Sequence, residues 1–367
     1  MRVGFDARWY NDSGVGSYVA EVVPALVRAG CELVVYVDPD KPVPGFNQLA
    51  AEIVPICAGR YSPFASLEFQ RRAKQDKLDL FHSPFYVAPR LVCPVIITVH
   101  DLIPFLFPIY PWLKQRLVQA GYRSAARRAA HIITDSQHTA NDVQKILGAA
   151  AERITPVHLA AAPEVFHPCA VEGEWQRLRQ KFKLPLPYVV VASARNWRTK
   201  NLEGALKALA MARSESGMEF QTVVYGPTEG IEAVRDRELL QKLNASRTGY
   251  VEAEELASLF RHAHAFMMPS LYEGFGLPLV EAMACGCPVI TSDRGSLPEV
   301  ADDGAQCFDP ADIAGMAAAL SKLLCDPQEL EKRKKDALKR AEDFSWAKTA
   351  QATMAVYHQM QRQMSTP

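Results

Sequence analysis

Residues 265–300 read AFMMPSLYEGFGLPLVEAMACGCPVITSDRGSLPEV. The apolar run Ala265 to Met268 reads as a buried strand that ends at Pro269. A polar, glycine-rich loop follows, a helix starts close to Pro278, and a second β-branched run occupies Val289 to Thr291. Proline suits the first helical position, where its missing N–H would be unpaired anyway, and Gly274 and Gly276 let the backbone approach a ligand closely. The orphan N–H groups of Leu277, Leu279 and Val280 are then expected to point toward that ligand. A helix N-terminus carries partial positive charge and suits a phosphate or diphosphate. Glu273, in the loop, and Glu281, about one turn into the helix, bring two carboxylates to one ligand from different depths. Each carboxylate accepts several hydrogen bonds, which matches the vicinal hydroxyls of a hexose or a ribose. Taken alone, the Glu-x7-Glu spacing fits equally a helix cap and a solvated loop residue.

The same alternation of strand and crossover helix extends outward through the chain. Short β-branched runs recur at Arg2 to Ala7, Cys31 to Val37, Val95 to Val99 and His131 to Thr134. They resume at Tyr188 to Ala192, Gln221 to Tyr225, Thr248 to Val251, Ala265 to Met268 and Val289 to Thr291. Each pair is separated by enough chain for a helix, the pattern of parallel α/β sheets. Because the series restarts, two sheets are expected. The proline-bearing stretch 161–187 lies between them as a hinge, so the domains are expected over 1–168 and 169–345. Beyond Trp346, Ala350, Met354, Tyr357 and Met360 recur at helical spacing and give one last amphipathic helix over 346–367.

Composition narrows the function classes. Lys plus Arg equals Asp plus Glu at 41 each, so no global field favours a nucleic-acid partner. Arg2, Asp6 and Arg8 break the apolar run at the start, and no later stretch is long enough to span a bilayer, so a cytoplasmic location is expected. The eight cysteines are scattered, and the one close pair, Cys285 and Cys287, lacks zinc-site spacing, so buried thiols are expected.

Further candidate positions follow other strands. After Tyr188 to Ala192, the loop carrying Arg195 and Lys200 places two cations where they could neutralise a diphosphate, although basic residues on a loop are often merely solvated. The segment TGYVEAEELASLF puts Tyr250 and Val251 at a strand end. In the first domain a Gly-x-Gly turn, Gly14-Val15-Gly16, is expected between the first strand and a helix. The third glycine of a dinucleotide fingerprint is replaced by Val19, which disfavours a nicotinamide site. The run PVIITVHD ends in His100-Asp101, where a histidine could donate to a sugar hydroxyl or serve a purely structural bond.

The string Ser270 to Val289 resembles, nearly position for position, the S-x-x-E-G-F-G-L-x-x-x-E-A-M-A-x-G-x-P-V signature of the family 4 glycosyltransferases. That resemblance extends over nearly the whole chain. It implies the GT-B fold, α/β with two Rossmann-like parallel-sheet domains facing a central cleft, the last helix crossing back to the first domain. It implies that Glu273 contacts donor-sugar hydroxyls and Glu281 the donor ribose, and that the backbone of Gly274, Phe275, Gly276 and Leu277 meets sugar and diphosphate. It further implies that Arg195 and Lys200 neutralise the leaving diphosphate and that Tyr250 and Val251 lie by the nucleobase. Gly14 and Gly16 would close over diphosphate and acceptor, and His100 would touch the donor sugar. Trp197 is less typical of the family pattern.

A retaining hexosyl transfer is then expected, from a nucleotide-diphosphate sugar to a saccharide or lipid-linked saccharide. No cofactor or catalytic metal beyond the donor is expected, the sole Asp-x-Asp being the turn Asp38-Pro39-Asp40. The strings FDAR, GVGSY, FHSP and VHDLIPFLFP look most like bacterial O-antigen and exopolysaccharide enzymes that use mannose, so GDP-mannose is the first donor expected. The apolar, proline-interrupted LIPFLFPIYPW, together with basic clusters at Arg71, Arg72, Lys74, Lys77 and at Arg123, Arg127, Arg128, suits a peripheral site on an anionic membrane; solvated helix faces are the competing account. A sugar-nucleotide epimerase of the same fold and a catalytically silent nucleotide-sugar-binding subunit are the rival functions. A bilobed solute-binding protein would need an export signal and no cationic pair.

Overall fold

The computed structural model describes residues 1–10, 13–41, 43–184, 187–193, 197–227, 234 and 237–365. The chain divides into two compact units, Met1–Leu159 with Ser345–Pro367, and Ala160–Phe344. Each is built around one parallel sheet.

In the first unit the strands are β1 (Arg2–Asp6), β2 (Glu32–Val37), β3 (Glu52–Pro55), β4 (Leu80–Ser83), β5 (Val95–Val99), β6 (His131–Thr134) and β7 (Ile154–Pro156). They lie in the order β3-β2-β1-β4-β5-β6-β7, every neighbouring pair parallel. The second unit contributes β8 (Tyr188–Ala192), β9 (Gln221–Tyr225), β10 (Ser246–Gly249), β11 (Ala265–Met268), β12 (Val289–Ser292) and β13 (Gln306–Phe308), in the order β10-β9-β8-β11-β12-β13. Both sheets are doubly wound. The order reverses between β1 and β4 in one unit and between β8 and β11 in the other, and ligands of such sheets bind outside the carboxyl ends at these switch points.

Helices on both faces bury the central strands completely, which is why β5, β8 and β11 read as unbroken apolar runs rather than alternating ones. In the second unit, Ala205, Ala208 and Ala212 on the helix Leu202–Ser216 let the helix Ile313–Cys325 approach closely. Leu206, Leu209, Leu320 and Leu323 fill the space around that contact, each contributing about 2 kcal/mol by burial.

Four strands escape the sequence pattern: β3, β4, β7 and β13. Three are edge or near-edge strands of three or four residues. The central β4, Leu-Phe-His-Ser, carries a histidine that looks unfit for a core. His82 is nonetheless fully buried because both ring nitrogens are satisfied, Nδ1 by Tyr357 Oη at 2.6 Å and Nε2 by Thr98 Oγ1 at 2.8 Å. Tyr357 comes from the last helix, Trp346–Ser365, which packs on the helix Ser13–Arg28 of the first unit. Its stripe of Trp346, Ala350, Tyr357 and Met360 is buried, and Thr349 Oγ1 donates to the carbonyl of His158. Among the described residues no helix is long and apolar enough to cross a membrane.

Candidate active site

The loop after β11 is shaped by the glycines. Gly276 stands at the start of the helix Leu277–Ala284 with φ +96°, and a Cβ there would lie 2.7 Å from Leu297 Cδ2, so only glycine fits without strain. Pro278 falls in the first turn, as a proline at a helix start should. One expected donor is otherwise engaged: the N–H of Leu279 bonds the carbonyl of Gly276 at 2.8 Å and turns back on the loop. Phe275 is buried with its ring edge-on to Phe344, centroids 5.8 Å apart.

β8 and β11 pair directly, so the loop that follows β8 ends beside the loop that follows β11. Leu271 N–H donates to Thr199 O at 2.7 Å and ties the two together. Lys200 Nζ donates to Glu273 Oε1 at 2.7 Å, with side chains only 16% and 13% exposed. Asn201 takes a left-handed conformation, φ +48°, and its Nδ2 bonds the carbonyl of Pro310, which anchors the Lys200 end of the loop. Glu281 lies in the helix Leu277–Ala284. Its burial pushes the carboxyl up to about 7, against the downward pull of the Lys200 charge. Burial first, then the charges of Glu281 and Glu273, hold the Tyr225 hydroxyl well above its ordinary range. Among the described residues, Lys200, Glu273, Glu281 and Tyr225 thus gather at the switch point of the second sheet.

Supporting residues lie elsewhere in the chain, and sequence reasoning missed them. Gly295, φ +62°, lies so close under Glu273 that a Cβ would approach its backbone N and O to 2.9 Å. The neighbouring Ser296 donates through both its N–H and Oγ to the Glu273 carbonyl, at 3.3 and 3.0 Å. Gly226, φ +101°, closes on the carbonyl of Ser193, whose Oγ in turn donates to Pro227 O. The available signal was a glycine just beyond each strand, at Tyr225-Gly226 and in Asp293-Arg294-Gly295 after β12.

Other expected positions are distributed as follows. Arg195 lies outside the described residues. Tyr250 is 70% exposed just past the end of β10, and Val251 follows it, half-buried. Gly14 and Gly16 do not form a turn between strand and helix. That place belongs to a short 3-10 turn, Ala7–Trp9, while both glycines already sit in the first turn of the helix Ser13–Arg28. Gly16 is required by packing, since a Cβ would lie 2.2 Å from the carbonyl oxygen of Tyr10; Gly14 faces open space. His100 directly follows β5, with Nδ1 2.7 Å from Asp135 Oδ2 and Nε2 2.9 Å from Pro84 O. Asp38-Pro39-Asp40 is a turn, closed by Asp40 N–H on Asp38 Oδ1.

Two doubly wound parallel-sheet units, the second with carboxylates and a lysine at its switch point, describe a class of two-domain α/β proteins whose ligands bind at strand ends. Comparison with known proteins narrows the class. Residues 176–340 match the model of the glycosyl transferases group 1, and residues 13–164 that of glycosyltransferase family 4. The chain belongs to this glycosyltransferase family. It is 28% identical over 286 residues to O-antigen chain mannosyltransferase B of Escherichia coli, covering 76% of this chain and 74% of that protein. It is 33% identical over 264 residues to an MMP α-(1→4)-mannosyltransferase of Mycolicibacterium hassiacum, covering 67% of this chain and 59% of that one. Sucrose-phosphate synthase from Thermosynechococcus elongatus superposes with a TM-score of 0.77 over 98% of this chain and 99% of that one; at 19% identity this likeness establishes the GT-B fold alone.

Proposed function

We propose that this glycosyltransferase moves a hexose, with mannose from GDP-mannose as the first candidate, from a nucleoside-diphosphate donor to a saccharide or lipid-linked saccharide of a cell-surface polysaccharide. The observation that carries the reading is the Lys200–Glu273 pair at 2.7 Å beside the buried carboxyl of Glu281, all at one switch point. In this reading Glu273 accepts from donor-sugar hydroxyls, Glu281 from the ribose, and Tyr250 and Val251 flank the base. Lys200, with Arg195, neutralises the diphosphate as it leaves. His100 is assigned to the donor sugar, Gly14 and Gly16 to the diphosphate and acceptor, and the backbone of Gly274, Phe275, Gly276 and Leu277 to the sugar and diphosphate.

The bond between C1 and the diphosphate oxygen breaks, giving the sugar oxocarbenium character. The acceptor oxygen attacks from the same face, so configuration is retained, and the departing phosphate takes the acceptor proton. Fixed charges that strengthen as the leaving group gains charge lower this barrier, at about 3 kcal/mol for one preorganised donor. No metal or further cofactor is assigned a role. The mannose reading is supported by two relatives whose names are those of mannosyltransferases. A thermal-shift screen with GDP, UDP and dTDP sugars, followed by transfer assays with and without a chelator, tests it. The expected outcome is stabilisation by GDP-mannose and chelator-resistant transfer. Stabilisation by another nucleotide sugar alone would remove mannose, an anomerically inverted product would remove the mechanism, and loss of all transfer with chelator would remove metal independence.

We further propose that the protein works at the cytoplasmic face of an anionic membrane. The helix Pro63–Gln75 turns Phe64, Leu67, Arg71 and Lys74 to solvent at spacings of three and four, Phe64 being 70% exposed. The helix Trp112–Arg128 exposes Trp112 at 71%, with Leu113 and Leu117. Lys114 lies 4.5 Å from the ring of Tyr110 and Arg116 5.8 Å from that of Trp112. Exposed aromatics interleaved with cations fit a lipid interface, each cation adding about 1 kcal/mol on an anionic surface. The second basic cluster contributes less, since Arg128 is bonded to Ala88 O and Arg123 lies over Phe105. Sedimentation with phosphatidylglycerol vesicles should show binding that high salt and Trp112→Ser with Arg71→Ser weaken; equal binding by the variant refutes the assignment.

A further inference from the structure

His100 uses both ring nitrogens, and both partners are acceptors. The carbonyl of Pro84, 2.9 Å from Nε2, accepts only, so Nε2 carries a proton. The carboxylate of Asp135, 2.7 Å from Nδ1, also accepts only, so a second proton lies between Nδ1 and Oδ2. A neutral imidazole has one N–H and would leave one of these contacts as two facing acceptors. The arrangement therefore requires two protons, and carried on the ring they make an imidazolium.

The surroundings agree. Asp135 follows β6, is 3% exposed, and its Oδ1 has no hydrogen-bond partner, so His100 is its one hydrogen-bonding cation among the described residues. A buried carboxylate without such a partner is costly. On the neighbouring strand, His82 is held neutral: burial, then the charge of His100, push it down to about 3, so it does not repel His100. Asp101, the next residue, adds negative charge, and Tyr18 presents its ring edge-on at 5.1 Å. Burial lowers the His100 imidazolium, but the charge and hydrogen bond of Asp135 and the Pro84 carbonyl outweigh it, and the net direction is up.

We propose that Asp135 is the positioning residue for His100, holding the imidazole as an oriented cation whose Nε2–H passes from the Pro84 carbonyl to an oxygen of the donor. This makes His100 a fixed positive group rather than a base, and it rests on the reading of His100 as a donor contact.

The test uses the full-length protein labelled with ¹³C-histidine, His100 being assigned by its loss in His100→Gln. Its titration is followed by NMR in the native protein, Asp135→Asn and Asp135→Glu, and transfer rates are measured against pH in parallel. The native midpoint is expected above the ordinary 6.5. Asp135→Asn should lower it by roughly 1 to 3 units. kcat should fall about tenfold or more with KM little changed, its alkaline limb moving down with the midpoint, and Asp135→Glu should restore part of both. Adding Asp135→Asn to His100→Gln should cause no further loss. An unchanged midpoint in Asp135→Asn overturns the proposal, as does a loss of rate with an unmoved alkaline limb. If no donor supports transfer, the functional reading fails, while the NMR titration still decides the pairing.

Discussion

Lys200→Ala removes the cation that bonds Glu273 and lowers the Glu281 carboxyl, and three separate consequences can be sized. The first is stability. The pair is 2.7 Å long with side chains 16% and 13% exposed, between a surface bridge worth about 1 kcal/mol or less and a buried one whose breaking costs about 3–5 kcal/mol. A loss of about 1–3 kcal/mol follows, and for a unit of this size Tm should fall by roughly 2–10 °C. The second is rate: without a preorganised charge on the leaving diphosphate, kcat should drop about a hundredfold, equivalent to ~3 kcal/mol. The third is indirect. Lys200 lowers the Glu281 carboxyl, which burial has raised to about 7, so removing the charge raises it further and leaves Glu281 protonated over a wider pH range. Donor affinity of the variant should therefore recover as pH rises. Steady-state kinetics with varied donor, calorimetric donor titrations at acid and alkaline pH, and thermal melts measure all three, with Lys200→Arg keeping the charge but not the shape. Transfer by Lys200→Ala within about threefold of native would refute the catalytic reasoning. A variant that fails to fold would show instead that the pair serves the architecture.

Glu281→Gln isolates the carboxyl raised to about 7 from its ordinary 4.5. The folded protein holds this proton more tightly than the unfolded chain does. The stabilising contribution is thus complete below about 4.5 and is lost as pH rises through about 7. Chemical denaturation should show the native protein losing stability relative to the glutamine variant across that window, and parallel profiles would refute the assignment. Gly295→Ala forces a side chain into a left-handed conformation against the Glu273 backbone. It should cost about 1–3 kcal/mol and lower kcat, whereas Gly59→Ala, into open space, should change neither melting nor rate. Equal behaviour of the two alanine variants would show that the Gly295 contact does not position Glu273.

Much of this molecule is legible from neighbouring residues. Central strands announce themselves as apolar runs because both faces are covered. Pro278 and Gly276 mark the start of a helix because one lacks an N–H and the other tolerates φ +96°. Glu273 and Glu281 are conspicuous as chemistry because they flank that start. Short strands such as β3, β7 and β13 carry too few residues for a pattern, and β4 hides behind a histidine whose partners come from distant parts of the chain. Gly14 and Gly16 suggested a turn, but the packing of Gly16 on the Tyr10 carbonyl places them in a helix.

The sequence by itself determined the alternation of strand and helix, the presence of two sheets, and the loop that carries Glu273, because propensity, capping and hydrophobic runs act over a few residues. Tertiary structure alone decided that Lys200 meets Glu273 across 73 positions and His100 meets Asp135 across 35. Those meetings depend on which strands lie side by side, β8 with β11 and β5 with β6. Strand order is settled by burying each sheet as a whole, and no short segment contains it.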